Sequence, residues 1–97
     1  MADKTSVRKE LSVNQGGKMV LLNTGSGSPT GGVDTLTMVL ADYGFKNVLA
    51  VQGYVHTTDL NIIVEESGTT AVANGILTYT TAAGNNGSRR VVVVWGE

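Results

Sequence analysis

The sequence predicts a small, mainly β domain, a sandwich or barrel of about six strands with one short helix and an extended N-terminal arm. Three observations lead there. Apolar residues alternate with polar ones through much of the second half, and runs rich in Thr and Val are separated by Gly/Asn turns. With 97 residues and no cysteine, the chain has room for one core and no disulfide or cysteine–zinc staple. Packing, within the chain or against other subunits, has to hold the fold. Charged residues make up only 15% of the chain, sparse for a free-standing enzyme and suited to a β protein with neighbours.

Taken in order, residues 1–16 mix charges of both signs without usable periodicity, and NQGGK (14–18) marks a turn. Residues 1–16 therefore read as an arm that orders on a partner, and 17–97 as a single β-rich domain. Residues 18–23 read as a strand. GSGSPTGG (25–32) follows, and then VDTLTMVLADYGF (33–45), which carries two periodicities. Leu36, Met38 and Leu40 alternate as in a strand, whereas Leu36, Val39, Leu40 and Tyr43 have helical spacing. Thr37 is a candidate N-cap and Gly44 a candidate helix end. Together they predict a strand near 33–36 and one or two helical turns ending at Tyr43.

The remainder reads as strands. NVLAVQGYVH (47–56) puts Leu49, Val51 and Val55 on one face. LNIIVEE (60–66) puts Leu60, Ile62 and Val64 on one face and Asn61 and Glu65 on the other. ESGT then turns the chain into GILTYTTA (75–82), which holds Tyr79. GNNGS (84–88) contains Asn86-Gly87, a hairpin signal. RRVVVVWG (89–96) closes the chain; four consecutive valines suit a strand buried on both faces, central or sandwiched by a neighbouring subunit. No internal repeat is visible.

Lys and Arg total 7 against 8 for Asp and Glu, a formal charge of −1, without the clustered basic excess of a nucleic-acid binder. No apolar run approaches the ~20 residues of a membrane span, and the N-terminus lacks a signal-peptide core. A soluble protein made in a cytoplasm is expected. The glycine loop raises phosphate binding as a possibility. Gly31-Gly32 is followed by Val33-Asp34 where a Walker loop needs lysine, and Gly25, Gly27 and Gly31 miss the dinucleotide spacing by one residue. The residues favour a corner with Pro29 setting a turn.

Other chemistry is as sparse. His56 and Asp59 have no serine elbow to serve, and Asp34, Asp42 and Asp59 lack calcium-loop spacing. Glu65 and Glu66 point to opposite faces of a strand and read as solvated turn charges. Arg89-Arg90 read as guards on an edge strand or partners of an acidic neighbour. Trp95 reads as core or interface. No catalytic residue, cofactor or metal is expected.

SPTGGVDTLTMVLADYGFKNVLAVQGY (28–54) and RRVVVVWG (89–96) together resemble the small β-rich head decoration, or capsid cement, proteins of tailed bacteriophages. Pro29, Thr30, Gly31 and Gly32 match that family's first turn, Leu36 and Thr37 a Leu-Thr segment, and Asp42, Tyr43 and Gly44 an Asp-aromatic-Gly turn. The arm 1–16 is longer than the family's usual start. The resemblance implies a structural virion protein on the capsid exterior. Its partner would be the major capsid protein, whose adjacent subunits it would clamp as a homo-oligomer or as many copies in a symmetric lattice. By position, the candidate contact residues are Val7, Arg8, Leu11, Pro29, Thr30, Arg89, Arg90 and Trp95. A tail or neck component and a small β-type ligand-binding module are the alternatives. Deleting 1–12 is expected to weaken attachment while sparing the fold.

Overall fold

Period-two patterning does produce a β structure, with two more strands among the described residues than the sequence predicts. The structure, a computed structural model, describes residues 3–11, 18–24, 32–56, 63–82 and 89–97. In chain order the strands are β1 (Val7–Leu11), β2 (Lys18–Asn23), β3 (Thr35–Val39), β4 (Val48–His56), β5 (Ile63–Glu66), β6 (Thr69–Ala73), β7 (Ile76–Thr80) and β8 (Arg89–Gly96). They form a five-stranded sheet, β1-β2-β8-β4-β5, and a three-stranded sheet, β3-β7-β6. Every pairing between these strands is antiparallel.

Alternation on β2, β3, β7 and β8 builds the core between the sheets. Val20 and Leu22 lie opposite Val94 and Val92 on one layer, and Leu36 and Met38 opposite Tyr79 and Leu77 on the other; all are buried. Phe45 and Leu40 close one end of this core. Gly96 lets the Phe45 ring approach, since a Cβ there would lie 2.6 Å from it.

Strand periodicity prevails across 35–39, where Leu36 and Met38 point inward. The expected helix is a single 3-10 turn, Leu40–Tyr43, ended by Gly44 at φ 71°, with the Phe45 N–H donating to the Leu40 carbonyl at 3.0 Å. Thr37 is no N-cap. It sits mid-strand, and Val39 precedes the turn without a side-chain cap. β6 and β7 form a hairpin whose turn, Asn74-Gly75, has both φ positive (54° and 75°), as a two-residue primed turn requires. The other Asn-Gly pair, Asn86-Gly87, lies outside the described residues. β7 and β8, which flank it, belong to different sheets, so they do not form the expected hairpin.

The N-terminus departs most from expectation. Residues 3–11 are not an arm but part of the domain. Asp3 bridges Thr35, the Lys4 N–H donates to the Thr35 carbonyl at 2.8 Å, and the chain then crosses to pair β1 with β2 in the other sheet.

Candidate interaction surfaces

β8 is central in its sheet, and its burial alternates strictly. Arg90, Val92, Val94 and Gly96 face the core; Arg89, Val91, Val93 and Trp95 face outward, half-buried. Register places Met19, Trp95 and Ala50 in one row of the outer face and Leu21, Val93 and Gln52 in the next. Val91 then lies between Asn23 and Tyr54. Antiparallel sheets usually turn a polar face to solvent. This one is apolar across its centre, and no second layer covers it among the described residues. The valine run is thus explained by a strand that packs inward on one face and presents an apolar surface on the other.

Arg90, a candidate contact residue, is instead fully buried, with its side chain at 0% exposure. Its Nε and one terminal nitrogen each donate to Glu66 Oε2 at 3.3 Å. The Tyr79 hydroxyl donates to Glu66 Oε1 at 2.9 Å. Glu66 is correspondingly no solvated turn charge: it ends β5 opposite Gly53, inside the sandwich. Burial pushes the Tyr79 hydroxyl above the ordinary tyrosine range, and the Glu66 hydrogen bond and charge add to the push. Gly53 makes room for this tyrosine, because a Cβ there would overlap its hydroxyl.

Beside this network the sandwich opens. β4 has nine residues but β5 only four, and their pairing covers β4 from Gly53 to His56. At Glu66 the chain leaves the sheet, and Ser67 and Gly68 carry it across to β6. A cleft of about 470 Å³ occupies the vacated position, lined by residues 48–53 and 66–68 together with Thr70 and Tyr79. A register shift between Val48 and Ala50 leaves Leu49 as the extra residue of a bulge, so it is 63% exposed and not on the face of Val51 and Val55.

On the opposite side, polar side chains clasp the two sheets together. The Asp3 carboxylate accepts from Thr37 Oγ1 at 2.6 Å, Thr5 Oγ1 at 2.7 Å and Arg8 at 3.1 Å, and Arg8 Nε donates to the Thr37 carbonyl at 2.7 Å. Arg8 therefore binds within its own chain.

Of the other candidate contact residues, Val7 is exposed at the rim of the apolar face, Leu11 pairs with Met19 at the end of β1, and Arg89 lies opposite His56. Trp95 sits within the apolar face. Pro29 and Thr30 lie outside the described residues, as do Asp59, Leu60, Asn61 and Ile62. The glycine loop leads from β2 into β3, a strand in the other sheet, and not into a helix whose N-terminus could hold phosphate. No family model, curated protein or solved structure matches the chain.

Proposed function

We propose that this chain is a structural virion protein of the capsid decoration class, which binds the outer surface of a phage head and steadies contacts between major capsid subunits. The observation that carries the proposal is the apolar outer face of the five-stranded sheet. Trp95, Met19, Leu21, Val91, Val93 and Tyr54 make it contiguous across β2, β8 and β4. Contiguous apolar surface of this kind marks a contact site, and large aromatic side chains dominate the energetics of such contacts. The family resemblance of residues 28–54 and 89–96 supplies the class of partner. In a symmetric lattice, contacts that are modest singly become strong when many copies act together.

Antibodies against the purified chain, applied to intact virions from the same genome, test the assignment. Labelling of the head exterior is the expected result, and labelling of the tail or of neither would refute it. A Trp95→Ser variant that remains folded should occupy heads at least tenfold less.

A further inference from the structure

The cleft beside β4 differs in kind from the apolar face, because its wall is unpaired backbone. In an antiparallel sheet alternate residues of an edge strand turn both N–H and C=O outward. Beyond Gly53 no strand among the described residues lies on that side of β4. Residues 48–52 therefore present an open edge about 17 Å long at ~3.3 Å per residue, at the place where β5 would continue had it stayed in the sheet.

From these features we infer that residues 48–52 are a strand-addition site. The site takes an extended, uncharged segment of a partner protein, with apolar side chains at every second position. The cleft volume of about 470 Å³ is of ligand-site size. Thr70 and Val72 pair in register with the buried Tyr79 and Leu77, so they point toward the opposite sheet, yet Val72 is 53% exposed. Val64 likewise pairs with the buried Val55 and is 53% exposed. These residues face inward without a covering layer among the described residues, and Thr70 lines the cleft itself, beside the half-buried Val48 and Val51.

Charge sets the partner's chemistry. Among the described residues, the one charged side chain lining the cleft is Glu66, buried and bonded to Arg90 and Tyr79. A lysine or carboxylate pointing inward from an entering strand would meet no charge to pair with among the described lining residues other than Glu66, which is already bonded. The other edges are guarded differently. β1 carries Arg8, Lys9 and Glu10, β5 carries Glu65, and β3 is covered by residues 3–8. β6 (Thr69–Ala73) is also uncharged and exposed, and it is the competing edge. Strand addition draws affinity from main-chain hydrogen bonds and specificity from alternate side chains. Unlike head binding through the apolar face, it requires no shell.

Amide hydrogen exchange on the full chain tests the inference, with the capped heptapeptide Thr-Val-Thr-Val-Ser-Val-Thr as probe at 1 mM. Exchange at residues 48–52 should slow at least tenfold where amides face the cleft, with β1 and β6 unchanged. N-methylating alternate probe residues should abolish the effect in one phase and spare it in the other. Thr70→Trp, which fills the cleft from β6, should abolish it as well. Should that variant fail to fold, Ser67→Lys tests the same cleft and should weaken the neutral probe at least threefold. Absent protection at 48–52, or protection of β6 instead, would overturn the inference. So would equal protection by a probe with lysine in place of valine. Protection at 48–52 that rises with protein concentration alone would assign the cleft to a second copy and equally refute a partner segment.

Discussion

The two lateral openings of this sandwich are closed in different ways. On the β3 side, residues 3–8 cross from one sheet to the other, so the Thr35 and Thr37 backbone groups are met by Lys4, Thr5 and Arg8. On the β4 side, β5 ends after four residues and leaves a cleft above a buried Arg90–Glu66–Tyr79 network. One edge is covered with polar bonds that water could replace. The other is left open, with its charges held inside, where water cannot replace them. The same fold therefore spends its charges on a clasp in one place and on an anchor under a vacant strand position in the other.

Breaking the anchor should have the largest effect. Glu66→Gln strips Arg90, at 0% exposure, of the Glu66 carboxylate, and losing one partner of a buried pair costs about 3 kcal/mol or more. Replacing both, with Glu66→Leu and Arg90→Met together, should recover most of that loss, since a buried pair and a well-packed apolar pair differ little in net stability. Urea denaturation of the two variants and the parent distinguishes these outcomes. A double variant no better than Glu66→Gln would show that the anchor has further partners on which the fold depends.

The Gly53–Tyr79 contact sharpens the comparison at intermediate size. Gly53→Ala forces a methyl group against the Tyr79 hydroxyl and should cost about 1–3 kcal/mol as overpacking. Adding Tyr79→Phe removes the colliding oxygen and should restore part of the loss, a non-additivity that a double-mutant cycle reads directly. Tyr79 also sets an alkaline limit. Its raised pKa means that the fold disfavours the phenolate. That stabilisation is complete below the ordinary value of 10.0 and is lost as pH rises above it. The parent's denaturation midpoint should fall between pH 9 and 11 more steeply than that of Tyr79→Phe.

Much of this was legible in the sequence. The sequence places strands at β2, β4, β7 and β8, and the valine run suits a central strand, as β8 is, although only its inward face is buried and not both. Period-two alternation also held what was missed. Arg90 shares parity with Val92 and Val94, and Glu66 with Val64, so both charges fall on inward positions once the strands are counted from their cores. Composition misled here, because adjacent arginines look like surface residues. Beyond the ESGT turn no strand is read from the sequence at β6, although Asn74-Gly75 is a primed-turn pair, since Thr-Thr-Ala-Val-Ala offers no large apolar residue to alternate. The arm was misread for a different reason. β1 has an exposed, charged sequence and is held by edge hydrogen bonds and the Asp3–Arg8–Thr37 clasp, which leave no hydrophobic periodicity. Deleting 1–12 thus removes a strand and the clasp together, and cannot test attachment apart from folding.

The smallest expected effect lies in that clasp. Burial alone would raise the Asp3 carboxyl, but hydrogen bonds from Thr37 and Thr5, together with the Arg8 charge, hold it below its ordinary value of 3.8. A depressed carboxyl stabilises the fold fully above that unfolded-state value and ceases to do so as pH falls through the lower folded-state value. Arg8 and Asp3 are 35% and 43% exposed at their side chains, so solvent screens the pair and Asp3→Asn should cost only about 0.5 kcal/mol near neutral pH. The gap between parent and variant should narrow as pH is lowered from 5 to 2.5, read as converging urea midpoints, and high salt at neutral pH should narrow it too. Exchange at the Thr37 amide, which donates to Thr5 Oγ1 at 2.8 Å, should quicken in the variant, while the cleft-side amides of β4 keep the parent's rates. A gap that persists through acid would mean that the contribution of Asp3 to the clasp does not depend on its charge, and that the two openings differ less in charge than in strand length.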